Sequence, residues 1–387
     1  MRRRHSNLLP RMDSIREIAA LVAHRGRAAG TDAERRGAVY LRDRLVDLGR
    51  PAELQAVQVR PRFGLTHALH ALLAVSGGVL AAANAPIGAA IVLFALLSTL
   101  LDVTGILHLV RRLTGRRVSQ NVESRVDAGK PGTLLLVAHY DAAREGPSFA
   151  LAVRLLRDPW LAMVAAISLI LICCGLRVAG VDGTALTSVQ FVPTVFLILM
   201  VPALGDVELS GASAGATDNA AGVAVVLRLA HDLDDRLDHF DVWVVLTGAQ
   251  KPFALGMKGW LRLRRSELGR ESTVVLDVDD LGEGPLTYSR KEGPLFPLRV
   301  HRQLTRICEQ IVEDGGHDAR ARLVHEAGDA GAAIARGIPA ITVSSPGVMI
   351  NEASLDRAFE FCRELAHRVD AEVGPRLAPR SPEHSTA

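Results

Sequence analysis

Residues 133–141 read TLLLVAHYD, an apolar run that ends in a histidine and an aspartate, His139 and Asp141. A continuous apolar run of this length is typical of a strand covered on both faces of a sheet. A histidine at the end of such a strand can bind a metal ion while the aspartate fixes its tautomer, although the same pair is more often structural when it stands alone. The stretch therefore predicts a central strand with polar groups at its carboxyl end.

Strands and helices are predicted to alternate through the second half of the chain. Helices are expected over 220–233, 257–263 and 330–336, and strands over 242–247, 273–278 and 340–344. This alternation favours the α/β fold class, as a three-layer α/β/α domain with a mostly parallel mixed sheet. Sites in such sheets lie at the carboxyl ends of strands, where His139, Asp218 and Asp279 are expected. Asp218, at a helix start, could bridge two metal ions or simply cap the helix.

The amino-terminal part carries two helix-start signals. The patterns at Ser14–Glu17 and Thr31–Glu34 are capping boxes, each opening a helix. Residues 52–60 then favour a strand. Near the other end, apolar residues between Leu355 and Val369 recur at helical spacing and predict a last helix.

Two long uncharged regions interrupt the α/β pattern. Residues 65–101 carry no formal charge, and residues 159–176 and 183–205 form a second pair of uncharged runs. Each helix would be long enough to cross about 30 Å of hydrocarbon. Four transmembrane helices in two hairpins are therefore predicted, with buried soluble helices as the alternative. The expected organisation is one α/β domain in three parts (1–64, 111–157, 206–373), two hairpins (65–110, 158–205) and a disordered tail (374–387).

Charge placement predicts the orientation and excludes one class of partner. Arginines flank one side of the hairpins, whereas the opposite loops carry only Arg177; the flanking residues are Arg60, Arg62, Arg111, Arg112, Arg116, Arg117, Arg154 and Arg157. By the positive-inside rule the soluble part of a multi-pass cell-membrane protein would then face the cytoplasm. A net charge of +3 without a basic stripe among aromatics argues against nucleic acid. The four cysteines suggest no disulfide framework.

Several motifs together resemble a known family. They are RGRAAGT at 25–31, SQNV at 119–122, LVAHYD at 136–141, GATDNAAG at 215–222 and GIPA at 337–340. In order and spacing they are similar to the zinc aminopeptidases of peptidase family M28, to which glutaminyl cyclases also belong, over most of the sequence outside the membrane runs. The resemblance implies a two-zinc site. It makes His139, Asp218 and Asp279 metal ligands, with Asp141 and Asn219 supporting them from behind.

The same resemblance implies that the site is degenerate. Ala249 stands where the family has its catalytic glutamate, and Gln250 where a glutamate binds metal. The last ligand of the family, a histidine after the GIPA turn, has no counterpart, because no histidine occurs between His325 and His367. Loss of a general base alone typically costs about 10²- to 10⁴-fold in rate. A rearranged site using nearby polar residues remains conceivable, namely His325, Glu326, Asp277 and Asp280.

The sequence thus favours a membrane-anchored pseudoenzyme. It would have no cofactor in functional form, with zinc as the metal if one is bound, and would bind a peptide, lipid or protein partner in the strand-end pocket. The alternative is an active zinc-dependent aminopeptidase or related metallohydrolase with an unusual or single-metal site.

Overall fold

A computed structural model describes residues 13–144, 146–156, 158–251 and 253–377. Nine strands form one mixed sheet in the order β1-β2-β4-β3-β5-β9-β6-β7, and β8 pairs with β6. The strands are β1 Glu53–Val59, β2 Arg117–Arg125, β3 Gly132–His139, β4 Phe240–Thr247, β5 Thr273–Leu281, β6 Leu286–Glu292, β7 Leu298–Arg299, β8 Ala319–Val324 and β9 Ala340–Ser345. The central four, β4, β3, β5 and β9, are parallel, so the predicted fold class is confirmed.

Twelve α-helices surround or leave this sheet within the described residues. They are α1 Ser14–Val22, α2 Asp32–Asp47, α3 Phe63–Leu80, α4 Ala85–Thr104, α5 Pro147–Leu156, α6 Pro159–Val178, α7 Thr184–Leu209, α8 Ala221–Asp232, α9 Leu255–Leu263, α10 Arg302–Glu313, α11 Asp329–Ile334 and α12 Glu352–Glu372. The sequence did not predict α5, α10, strand β2 or strands β6 to β8.

The central strand β3 explains the two helical layers. Its residues are all buried, and successive side chains point to opposite faces of the sheet. Leu134 and Leu136 pack into the core shared with α1, α2, α8, α10 and α12. Leu135 and Val137 pack into the second core, with α9 and α11. The unbroken apolar run of this strand follows from its burial on both sides.

The two predicted capping boxes behave differently. Thr31 accepts the N–H of Glu34 at 3.2 Å, as expected. The cap of α1, however, is Asp13, whose carboxylate accepts the N–H of Arg16 at 3.1 Å, and Ser14 is already the first helical residue. The expected cap at Ser14 is therefore wrong by one residue.

Four helices, α3, α4, α6 and α7, are long and apolar enough to cross a membrane. They share one apolar core, and many large apolar side chains point outward from them, including Val79, Phe94, Ile172 and Phe191. Helices α3 and α4 cross closely, because a Cβ on Gly88 would lie 2.5 Å from the Cα of Ala81. Small residues at such crossings are typical of helix packing in membranes.

Both hairpins leave the sheet from the same edge. Strand β1 is antiparallel to β2, which is antiparallel to β4, so β1 ends and β2 begins at the carboxyl edge of the parallel strands. Helices α3 and α4 connect them there. Helices α5 to α7 follow β3 at that same edge. Of the predicted disordered tail, residues 374–376 form one helical turn, and residues 378–387 lie outside the described part of the chain, as does Arg157.

Candidate functional site

Three of the predicted ligands meet at the carboxyl edge of the sheet. His139 ends β3, Asp279 lies near the end of β5, and Asp218 lies in a one-turn π-helix before α8. One ligand atom from each lies within 4.8 Å of the others. The His139 Nε2 is 3.0 Å from the Asp279 Oδ1 and 3.0 Å from the Asp218 carbonyl oxygen. Parallel pairing of β3 with β5 produces this meeting point, since it brings both strand ends to one edge.

Asp141 and Asn219 hold the surrounding loops. The Asp141 Oδ1 lies 3.4 Å from the Nδ1 of His139. Its carboxylate also accepts the backbone N–H groups of Gln250 at 3.0 Å and Lys251 at 3.3 Å. Asn219 donates to the Asp141 carbonyl at 2.7 Å and accepts from the buried Arg27 at 2.9 Å. Asp141 thus ties the ligand strand to the turn after β4.

The turn after β4 points the side chain of Ala249 away from the cavity and the next two side chains toward it. Ala249 has a left-handed φ of 47° and is fully buried. Its methyl group packs with Val57 and Val59 of β1. Gln250 and Lys251 instead line the cavity above the ligand cluster. Gln250 and Lys251 therefore face the cavity, and Ala249 does not.

Lys251 is a residue of the cluster that the sequence analysis did not single out. Its Nζ lies 3.1 Å from the Asp218 Oδ1 and 3.1 Å from the Glu326 Oε2. Its side chain is only 17% exposed. An ammonium group therefore stands among the acidic groups where the M28 resemblance implies metal ions. In the sequence, the position of Lys251 directly after Gln250, a predicted site residue, could have identified it.

The protonation states follow from this pairing. Burial alone would lower the pKa of His139, but the carboxylates of Asp279 and Asp141 outweigh burial and hold that pKa well above its usual value. Burial likewise opposes the charge of Lys251, yet Asp279, Glu326 and Asp218 raise its pKa well above normal. Burial would raise the pKa of Asp279, and Lys251 with His139 instead depresses it. The cluster is thus an internal ion-pair network.

The donors do not fit a two-zinc site. The Asp218 Oδ1 is engaged by Lys251. Gln250 brings no negative charge. A catalytic zinc takes three protein ligands. These residues supply fewer than three free ligand atoms to each of the two metal positions that the resemblance implies.

Two of the four residues considered for a rearranged site have other partners, and the other two line the cavity. The Asp277 carboxylate accepts the N–H of Ala330 and the hydroxyl of Thr342, both at 3.2 Å. Glu326 pairs with Lys251. His325 is exposed on a wall of the cavity. Asp280 also lines the cavity, and its burial raises the pKa of that carboxyl to about 6.

The region expected to carry the last ligand lies outside the cluster. Val348 is 89% exposed and Met349 is 66% exposed. Asn351 caps α12 by accepting the N–H of Ser354 at 2.7 Å. Glu352 is the first residue of that helix. None of these residues belongs to the group of potential ligands found among the described residues.

A cavity of about 460 Å³ extends from the cluster to the base of the hairpins. Its charged wall includes Lys251, Asp279, Asp280, Arg144 and Arg322. Its aromatic wall consists of Phe63, Phe149, Trp160 and Phe253. Phe63 and Trp160 lie at the starts of α3 and α6, so the apolar hairpins contribute directly to the cavity.

The fold and the cluster define a peptidase-type α/β domain. Residues 198–368 match the model of Peptidase family M28. None of the curated protein sequences compared with the chain matches it. The resemblance deduced from the motifs is confirmed: the chain carries the M28 fold, and its carboxy-terminal part carries the sequence pattern of the family.

Solved structures agree with this assignment of the fold. The zinc aminopeptidase BSAP of Bacillus subtilis is 12% identical, with a TM-score of 0.52, and the match covers 94% of this chain and 96% of that one. The glutaminyl cyclase of Tannerella forsythia is 14% identical, with a TM-score of 0.52 and coverage of 92% and 99%. The glutaminyl cyclase of Bacteroides thetaiotaomicron, bound to N-acetylhistamine, is 11% identical, with a TM-score of 0.53 and coverage of 93% and 99%.

Proposed function

We propose that this chain is a membrane-anchored M28-fold protein that binds a peptide segment in its strand-end cavity and does not hydrolyse peptides with zinc. The observation that carries the proposal is the Lys251 ammonium 3.1 Å from Asp218. A cation supplied by the chain balances the acidic cluster there. No metal is then needed to offset the burial of these carboxylates.

The proposed loss of catalysis rests on the groups that face the cavity. A general base must accept a proton near the operating pH. The amide of Gln250 cannot do so, and the raised pKa of Lys251 keeps that side chain charged. His139 is held protonated in the same way. Gln250 and Lys251 would thus replace the base and a ligand of the active family members.

Peptide is the ligand class that suits both walls of the cavity. The Asp218 Oδ2 and the Gln250 Oε1 are buried and lack a hydrogen-bond partner among the described residues, so a donor group of a ligand would satisfy them. Backbone N–H groups are such donors. An apolar side chain of the same peptide could stack on Phe149 or Trp160. The volume of about 460 Å³ lies within the range of small-ligand pockets.

The membrane and its orientation complete the proposal. The four candidate spans would anchor the domain with its cavity against the bilayer. The excess of arginine on the side of the α/β domain supports a cytoplasmic location.

Metal analysis and hydrolysis assays on the full-length protein in lipid nanodiscs test the proposal. We expect far less than one zinc per chain and no chelator-sensitive cleavage of aminoacyl reporter substrates. Tripeptide binding should change the fluorescence of Trp160, and Trp160→Phe serves as the control for the signals of Trp243 and Trp260.

The second candidate is an active enzyme with a single-metal site, which the proximity of His139, Asp218 and Asp279 favours. The same preparation decides between the two. About one or two zinc ions per chain, together with turnover that is lost in Asp218→Ala, would establish the enzyme and refute the proposal.

A further inference from the structure

A strongly basic groove lies on the part of the sheet formed by β6, β7 and β8, beside α10. Its volume is about 1180 Å³. The cationic side chains that line it are Arg290, Lys291, Arg299, Arg302, Arg306 and Arg322, together with His301. Glu309 is the acidic residue of the lining. The groove thus concentrates positive charge in a protein whose total net charge is +3.

These cations are available to an external partner. The side chains of Arg290, Lys291, Arg299, Arg302 and Arg306 belong to exposed residues. Within the described part of the chain, none of them takes part in an ion pair of the kind that Arg228 forms with Asp356. Unpaired cations at this density repel one another. An anionic surface placed over the groove would relieve that repulsion.

An apolar tip stands next to the groove. Phe296 is 71% exposed, Leu298 is 43% exposed and Leu323 is 41% exposed. The backbone N–H of Phe296 donates to the Pro294 carbonyl at 2.5 Å. This hydrogen bond closes the turn that exposes the Phe296 side chain. Aromatic and aliphatic side chains beside Lys and Arg form the pattern of surfaces that lie in the membrane interface.

The groove is continuous with the cavity at the hairpin base. Arg322 and Leu323 line both, and Pro294 lines the cavity. The aromatic wall of that cavity includes Phe63 and Trp160, at the first turns of two candidate spans. The apolar tip and the basic groove are therefore close to the level at which the chain enters the bilayer.

We propose that this surface, the Phe296 turn with the basic groove, rests on the anionic leaflet of the membrane that the hairpins cross. The phosphate groups of acidic lipids would pair with the arginines, and Phe296 would enter the interface between head groups and acyl chains. Anionic lipids are concentrated in the cytoplasmic leaflet, so the contact also agrees with the proposed orientation. This inference does not depend on what the cavity binds.

Site-specific fluorescence on the full-length protein in nanodiscs tests the contact. An environment-sensitive dye is attached through Phe296→Cys, and the four native cysteines are all buried. With about one third phosphatidylglycerol in phosphatidylcholine we expect blue-shifted emission and at least twofold lower quenching by neutral acrylamide than in phosphatidylcholine alone. High salt should reverse most of the difference, because surface charge is screened within a Debye length.

Matched variants separate the groove from general charge effects. Arg290→Glu, Arg299→Glu and Arg302→Glu combined should abolish the response to lipid charge. The control combines Arg265→Glu, Arg270→Glu and Arg376→Glu, an equal change of charge at exposed arginines near the amino edge of the parallel strands, and should keep the response. A dye attached through Gly129→Cys, also near the amino edge of the parallel strands, should stay accessible to the quencher in both lipid compositions.

Two results overturn the proposal. One is a dye at position 296 that is equally quenched in both lipid compositions. The other is saturable binding of a single-stranded RNA that the groove variant abolishes while lipid charge has no effect, which would make the groove a nucleic-acid site.

Discussion

Two clusters of buried acids in this protein are balanced by cations. The central acid is fully buried in the first, which we call the closed cluster, and partly exposed in the second, the open cluster. Asp102, near the end of α4, is fully buried, and its carboxylate lies 3.3 Å from His67, 2.8 Å from His108 and 2.5 Å from Arg111. In the second cluster, the Asp218 side chain is 31% exposed and pairs with Lys251. Charge pairing is common to both, so the exposure of the carboxylate is what separates a structural cluster from a candidate site.

One segment connects the two clusters. Phe253 follows Lys251 by two residues, and its ring lies 4.7 Å from the guanidinium carbon of Arg111 and 5.8 Å from the ring of His67. The turn that carries Lys251 into the cavity therefore also packs against the base of the first hairpin. Lys251 thus contacts one cluster and Phe253 contacts the other, and only one residue separates them in the sequence.

The largest effect is expected from Asp102→Asn. Removing one charge from a buried ion-pair cluster leaves the arginine uncompensated, which costs about 3–5 kcal/mol. Thermal unfolding in nanodiscs should show a clearly lower Tm. Asp182→Asn is the control, because Asp182 is 68% exposed and pairs with Arg177 at 3.4 Å. Equal stability of the two variants would show that the closed cluster is not a structural element.

A second effect concerns metal binding in the open cluster. Gln250→Glu combined with Lys251→Glu removes the ammonium group and adds two carboxylates that face the cavity, so zinc content should rise toward one ion per chain. Hydrolysis should stay far below that of an intact enzyme, because residues 326–366 contain no histidine. Metal analysis and reporter hydrolysis check both statements.

The matched variant shifts the same change by one residue. Ala249→Glu combined with Gln250→Glu keeps Lys251 and places a carboxyl group against Val57 and Val59. Burying an unpaired polar group costs roughly 1–3 kcal/mol, so we expect lower stability and little gain of zinc. If this variant binds zinc better than the first, the assignment of Gln250 and Lys251 as the cavity-facing pair is wrong.

A smaller, pH-dependent effect is expected from Glu34, a buried acid that is held by neutral donors. Its carboxylate accepts from Ser119 at 2.6 Å and from the N–H groups of Gly30 at 2.6 Å and Ala249 at 3.0 Å. Burial and the nearby charge of Asp141 raise the pKa of Glu34 to about 8. The folded state thus binds this proton more tightly than the unfolded chain does.

Linkage then fixes the sign of the effect. Stability from the neutral carboxyl is fully present below the unfolded pKa and is lost as pH rises toward 8. In Glu34→Gln that loss should be absent, so the difference in unfolding free energy between the two proteins should change by on the order of 1–4 kcal/mol between pH 5 and 8. Unfolding curves at several pH values measure it. Parallel pH profiles would contradict the raised pKa.

Local sequence patterns could predict the positions of His139 and Asp279, because these residues lie at the ends of two paired strands. The apolar run before His139 and the strand before Asp279 identify buried strands. Parallel pairing then brings the ends of β3 and β5 together without further information. The four candidate spans were equally readable, since length and apolar composition alone define them.

What the sequence did not reveal depends on side-chain direction in irregular backbone. The positive φ of Ala249 turns its methyl group toward β1 and directs Gln250 and Lys251 to the cavity, and no periodic pattern indicates such a turn. Strand β8 begins with alternating alanine and arginine and is mostly exposed, and strand β6 ends in three consecutive charged residues, so the strand signal of both is weak. Glu34 was interpreted as part of a helix cap, yet its side chain also reaches Ser119 and Ala249.

The attachment of both hairpins to one edge of the sheet governs how the protein can be made. Within the described residues, strand β3 pairs with β4 and β5, and both follow the second hairpin in the chain. During synthesis β3, whose residues are all buried in the finished sheet, therefore stays unpaired until helices α6 and α7 and then β4 have been made. Exposed strands of this kind are prone to aggregation. The second apolar hairpin thus sets the interval during which the central strand of the α/β domain stays without its partners.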